Sequence, residues 1–188
     1  MNEIWLVRHG ETEWTITKQH TGRTDIELTP AGEDQARALA PAFEFHQFAA
    51  VYTSPLKRAR RTAELAGFPD AVPDEQLREL DYGDYEGRTT AEIRNERADW
   101  FLWRDGTPGG ESLEDAGRRA DAVIARIANL DGDALLFGHG HFSRILGARL
   151  VGLPATDGRL LMLGPGSISI VGSEHDERAI RIWNQAQI

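Results

Sequence analysis

Two His-Gly pairs carry the chemistry of this chain. The first is Arg8-His9-Gly10-Glu11-Thr12, which follows the apolar run Ile4-Trp5-Leu6-Val7. The second is His139-Gly140, which follows Ala134-Leu135-Leu136-Phe137. An imidazole at a strand end with a guanidinium beside it suits the handling of phosphate, because histidine can act as a nucleophile while arginine neutralises oxygen charge. The pairing points to phosphoryl transfer with His9 as the attacking group. His139-x-His141 could instead be half of a metal site, but no Asp or Glu stands at helical spacing beside it, so no metal and no cofactor are expected.

The elements that must position these residues alternate between strand and helix patterns. Strands are expected at Ile4 to Val7, Ala49 to Thr53 and Ala134 to Phe137, with shorter ones at Leu160 to Leu163, Ser167 to Val171 and Ala179 to Trp183. Thr29-Pro30 reads as an N-cap followed by a first-turn proline, opening a helix that buries Ala36, Leu39, Ala40 and Phe43. Ser54-Pro55 repeats the signal for a helix reaching about Ala66. Thr89 and Glu92 have capping-box spacing. From Ser112, apolar residues recur at three- and four-residue steps to Leu130, and a last helix is expected from Phe142 to Val151. The alternation predicts an α/β fold with a mixed, mostly parallel sheet flanked by helices. At 188 residues a single domain over 1–188 is expected.

In open α/β sheets ligands gather at the carboxyl ends of the strands. His9, His139 and the Ser54 turn all fall at such ends. Arg8, His9, Arg58 and His139 can therefore converge on one crevice, and a helix beginning at Ser54 to Arg58 would add backbone N–H groups.

Composition excludes several alternatives. The chain has no cysteine, so disulfide and thiolate chemistry are absent. A net charge of -9 argues against nucleic acid and anionic membranes as partners. No run approaches 18 apolar residues and no signal peptide is evident, so a cytoplasmic location is expected. The expected partner is a small-molecule phosphate ester, and a homo-oligomer is left open.

Taken together, Arg8-His9-Gly10-Glu11-Thr12, Ser54-Pro55-Leu56-Lys57-Arg58-Ala59 with Thr62-Ala63, and His139-Gly140 resemble the histidine phosphatase superfamily in its phosphoglycerate mutase-like branch. Thr21-Gly22-x-Thr24-Asp25, and Leu77-x-Glu79 with Tyr82-Gly83-x-Tyr85-Glu86-Gly87, fit the intervening segments. The resemblance spans nearly the whole chain. It implies a nucleophile at His9, a phosphate clamp of Arg8, Arg58 and His139, and a proton donor at Glu79, with Glu86 as the fallback acid.

Further stretches, including Thr12-Glu13-Trp14 and Trp103-Arg104-Asp105-Gly106, resemble the subgroup of sedoheptulose-1,7-bisphosphatase and bacterial acid phosphatases. That places Thr15, Thr21, Gly22, Tyr82, Arg104 and His141 as candidate substrate contacts, with Trp14, Tyr82 and Trp103 as walls. Mutases of this branch usually carry asparagine where Thr15 stands. They are also longer, with an insertion bearing paired arginines and a tail that shields phosphohistidine from water. This chain shows no evident lid, so hydrolysis is the expected outcome, with sugar phosphates or bisphosphates favoured, phosphoglycerate mutase as the alternative, and a non-catalytic phosphate-binding protein as the weakest reading.

Overall fold

The computed structural model describes residues 2–186. Six strands form one sheet: β1 (Ile4–Arg8), β2 (Ala50–Thr53), β3 (Val72–Pro73), β4 (Ala134–Gly138), β5 (Ser167–Glu174) and β6 (Glu177–Ala186), in the order β3-β2-β4-β1-β5-β6. The first four run parallel to their neighbours, and β5 joins β1 antiparallel before the β5–β6 hairpin closes that edge. Seven α-helices flank it: α1 (Glu13–Thr17), α2 (Pro30–Arg37), α3 (Lys57–Leu65), α4 (Thr90–Glu96), α5 (Leu102–Asp105), α6 (Leu113–Ile127) and α7 (Gly140–Leu150).

Side-chain alternation along the two central strands builds both faces. Ile4, Leu6, Ala134 and Leu136 point toward α6 and α7, where Ala116, Ala120, Val123, Ile127, Phe142 and Ile145 complete one core. Trp5, Val7, Leu135 and Phe137 point the other way and pack with Leu39, Phe43 and Ala63. Because both faces are covered, β1 and β4 read as continuous apolar runs, which is why they were legible in sequence.

The helix signals at Thr29, Thr89 and Ser112 are realised as N-caps, each hydroxyl accepting a backbone N–H from three residues on. Three expectations need correction. The helix after Thr29 ends at Arg37 and the chain continues as a 3-10 turn over Ala40–Phe43, since Pro41 cannot continue an α-helical ladder. Ala36, Leu39 and Phe43 stay buried all the same, but Ala40, expected on the same stripe, is only partly buried. The helix after Ser54 begins at Lys57, so Ser54 is not its cap. Leu160 to Leu163 is not a strand. It follows a 3-10 turn, Ala155–Leu160, with Leu160 and Met162 facing solvent.

Among the described residues no helix is long and apolar enough to cross a membrane. Backbone proximity fixes the loop that follows β1: a Cβ built on Gly32 would lie 2.8 Å from the Glu11 nitrogen and closer still to its carbonyl oxygen. Gly32→Ala is therefore expected to destabilise the protein by about 3 kcal/mol, read as a fall in Tm of roughly 6–12 °C.

Candidate active site

His9 sits one residue beyond β1 and is 4% exposed. Its backbone N–H donates to Gly138 O on neighbouring β4 (3.0 Å), and Gly166 N–H returns to His9 O (3.0 Å). The ring is oriented by its own turn, with Nδ1 2.7 Å from Gly10 O. Nδ1 must therefore carry the proton, leaving a bare Nε2. Burial, then the guanidinium charges of Arg58 and Arg8, push the His9 pKa well below the ordinary imidazole value. A neutral ring with one free lone pair is a competent nucleophile.

Arg8 reaches toward the same place. One terminal nitrogen donates to Leu163 O, while its Nε is buried without a partner. A buried unpaired donor is costly in a resting protein, and it is the group an incoming phosphoryl oxygen would satisfy. Gly140 makes room, because a Cβ there would approach the Arg8 guanidinium carbon at 3.2 Å.

Arg58 is fully buried on α3 and almost completely occupied. Its Nη1 donates to Thr24 O (2.9 Å) and its Nη2 to Thr21 O (3.1 Å) and Gly22 O (3.0 Å). Its Nε donates to His139 Nδ1 (3.2 Å), which places the His139 proton on Nε2, 2.7 Å from Ser54 Oγ. Both imidazoles are buried with centroids 5.2 Å apart. Burial and the Arg58 charge hold the His139 pKa well below its usual range, so two neutral rings stand over a fixed cation. His139 has no spare ring nitrogen, so a phosphoryl oxygen must displace Ser54 to be contacted. The same occupancy leaves His139 unfit as a metal ligand.

Glu79 lies on the segment after the 3-10 turn Glu75–Leu77. Its carboxylate accepts from Phe142 N (2.8 Å) and His141 N (3.0 Å) in the first turn of α7, and from Leu80 N (2.9 Å). Those bonds fix its place on the cleft lining together with Arg8 and His9. Glu86 is held elsewhere. Its Oε1 accepts from Gly22 N (2.9 Å) and Thr24 N (3.0 Å), fastening the loop whose carbonyls grip Arg58.

The cleft, about 400 Å³, is also lined by Thr15, Thr21, Tyr82 and His141, with Trp14, Trp100 and Trp103 as walls. Thr15 spends its hydroxyl on the capping box of α1, donating to Thr12 O (2.8 Å) and accepting from Thr12 N (2.9 Å). Gly22 contributes backbone to the Arg58 grip and does not line this cleft. Arg104 is not brought to the site. It is 56% exposed and paired with Asp105 (2.8 Å) and Asp99 (3.3 Å). The helix start at Lys57 is withdrawn as well, because its N–H donates to Asp25 (2.8 Å).

Three cleft cations escaped sequence reasoning: Lys18, Arg94 and Arg144. Arg144 stacks over Trp103 (4.6 Å) and is anchored through Nε on Gly158 O (2.9 Å). The spacing His141 to Arg144 places both on one face of α7, which was the available signal. Most arginines here pair with a carboxylate. Among the described residues Arg8, Lys18, Arg94 and Arg144 do not, and Glu79 is the one acid on the same lining. A chain of net charge -9 thus opens a locally cationic cleft.

Elsewhere, Glu3, His46 and Asp133 come close enough to suggest a metal cluster. Their donor atoms are already occupied: Glu3 by Arg181 and the Trp5 indole, and Asp133 by Glu3 N–H (2.6 Å) and His46 (2.8 Å). This is a hydrogen-bonded clasp between distant segments.

The comparisons with known proteins agree with this geometry. Residues 4–186 match the family described as the histidine phosphatase superfamily, branch 1. An acid phosphatase of Mycobacterium tuberculosis is 39% identical over 186 residues, covering 96% of this chain and 91% of that protein. A sedoheptulose 1,7-bisphosphatase of Saccharomyces cerevisiae is 39% identical over 181 residues, covering 79% and 67%. The solved structure of an open reading frame from Mycobacterium tuberculosis superposes with a TM-score of 0.94 at 38% identity, covering 98% of each chain. With its fold, its buried histidine pair and its sequence all in agreement, the chain belongs to branch 1 of the histidine phosphatase superfamily.

Proposed function

We propose that this protein is a phosphatase that hydrolyses small phosphorylated metabolites, sugar phosphates and bisphosphates above others, through a phosphohistidine intermediate and without a metal. The observation that carries the reading is the pairing of a neutral, Nδ1-anchored His9 with the unpartnered buried Nε of Arg8.

In the first step His9 Nε2 attacks phosphorus in line. The P–N bond forms as the P–O ester bond breaks, and Glu79 gives its proton to the departing alkoxide oxygen. In the second step water attacks phosphorus, Glu79 takes one of its protons, and the P–N bond breaks to release phosphate and neutral His9. Arg8 holds an equatorial oxygen, and His139 takes another on exchanging Ser54 for phosphate. Arg58 supplies fixed positive charge beneath them. Positioning and charge neutralisation are most of what phosphoryl transfer requires.

Lys18, Arg94 and Arg144 favour a substrate with a second anionic group, which suits a bisphosphate. The phosphatase reading also includes one catalytic domain over 1–188, a cytoplasmic location, no nucleic-acid or membrane partner, and room for a homo-oligomer. Arg144→Ala is expected to reduce kcat/KM for a sugar bisphosphate about tenfold relative to the corresponding monophosphate, the loss of one charge-assisted contact. Equal losses on both esters would remove Arg144 from recognition of the second group. Phosphate release across a panel of sugar phosphates, bisphosphates and phosphoglycerates tests the activity itself. Isomerisation of 3-phosphoglycerate without phosphate release would instead establish the mutase.

A further inference from the structure

Beyond the reacting groups, the cleft contains two imidazoles that the mechanism does not use. His141 is the second residue of α7, and its Nδ1 lies 2.5 Å from the Tyr82 hydroxyl. His20 has its Nδ1 2.7 Å from Arg88 O, so that nitrogen carries the proton. Burial raises the Tyr82 pKa well above 10 and lowers that of His141 well below its usual range, so the phenol is the donor and the imidazole the neutral acceptor. The proton of His141 therefore sits on Nε2, whereas Nε2 of His20 is a bare acceptor. Among the described residues neither Nε2 has a protein partner. Both rings line the cleft, and the one buried side-chain nitrogen or oxygen without a partner among the described residues is Arg8 Nε, so these two atoms are open to the cleft.

The rings are nearly parallel, at 19°, with centroids 6.3 Å apart. Trp103 packs edge-on against His141 (5.5 Å) and Trp100 against His20 (5.6 Å), fixing both. A hydroxyl group donates one hydrogen bond and readily accepts another, so a donor and an acceptor side by side in the cleft can engage both functions at once.

We propose that His141 and His20 form a donor–acceptor pair that reads a hydroxyl on the leaving alcohol, with Tyr82 as the positioning residue that fixes the His141 tautomer. This rests on the sugar-phosphate reading above. It gives the cleft its preference for polyol esters, and a bare alkyl chain leaves both nitrogens dry and unpaired.

The test compares glycerol 1-phosphate with n-propyl phosphate, which differ by the hydroxyls alone. The measured quantity is the ratio of their kcat/KM values, since intrinsic ester reactivity cancels between variants. His141→Leu and His20→Leu are each expected to lower the ratio about tenfold. His141→Gln, whose amide keeps a donor near the Nε2 position, restores most of it, and Tyr82→Phe lowers it several-fold. Thermal melts establish that each variant is folded. Should the two leucine variants keep the wild-type ratio, the pair does not read hydroxyls. An unchanged ratio in Tyr82→Phe alone removes its positioning role. A wild-type enzyme that releases phosphate from both esters at equal efficiency overturns the sugar-phosphate reading together with the pair, whereas a wild-type preference that survives in the variants overturns the pair alone.

Discussion

His9→Ala is expected to lower kcat by roughly 10⁵-fold or more, the scale of losing a covalent nucleophile, with the fold intact. The His9 backbone bonds to Gly138 O and from Gly166 N–H survive truncation. Rapid acid-labile labelling of the wild-type enzyme by a phosphorylated substrate, absent in the variant, is the direct measurement. A variant retaining full activity on p-nitrophenyl phosphate would end the phosphohistidine mechanism. The pH profile gives an independent check. His9 attacks only when neutral, and its pKa is held below the usual imidazole value by burial and by Arg58 and Arg8. Activity is therefore kept as pH falls through about 6.5 and is lost only at lower pH, where His9 finally protonates. An acid limb at or above 6.5 in kcat/KM would contradict that assignment.

Glu79→Gln is expected to have the second largest effect, and one that depends on the leaving group. An alkoxide needs a proton to depart, so kcat/KM for a sugar phosphate should fall about 10³-fold, within the range for general acid catalysis. A nitrophenolate leaves without one, so the loss on p-nitrophenyl phosphate should be much smaller in the first step. Glutamine also turns an amide N–H₂ toward N–H donors of His141, Phe142 or Leu80, so a modest fall in Tm accompanies the kinetic change. An unchanged rate on the sugar phosphate would transfer the acid role. Glu86 is badly placed to receive it, because its carboxylate is committed to Gly22 and Thr24 N–H groups.

Much of the frame was legible before any coordinates. The runs Ile4 to Val7 and Ala134 to Phe137 are apolar at every position because β1 and β4 are buried on both faces. Thr29, Thr89 and Ser112 announce helices through a local bond between one hydroxyl and one nearby N–H. The C-terminal hairpin announces itself less sharply. Leu160 to Leu163 carries strand-like residues yet joins no sheet among the described residues, since local preference yields to tertiary context. Ser54-Pro55 misled for a similar reason, because the Ser54 hydroxyl is engaged by His139 across 85 residues of sequence.

The site divides along the same line. Residue identity and order marked His9, Arg8, Arg58 and His139, since charge and nucleophilicity are properties of side-chain type, whereas Glu79 was singled out by the family resemblance. The sequence singled out Arg104, beside Trp103, and passed over Arg144. Only the fold turned the first outward onto Asp99 and Asp105 and the second inward over Trp103. Likewise, no sequence pattern reveals that Glu86 secures the loop that secures Arg58, or that Tyr82 sets the tautomer of His141. The sequence by itself determined the family, through its ordered motifs, and the α/β frame, through local periodicity, and it singled out His9 as the candidate nucleophile through residue type. The tertiary structure decided which cations line the cleft, which imidazole nitrogens stay free and which carboxylate meets it. Each of those depends on partners brought together from distant segments, and a hydrogen bond exists only where the fold places both of its ends.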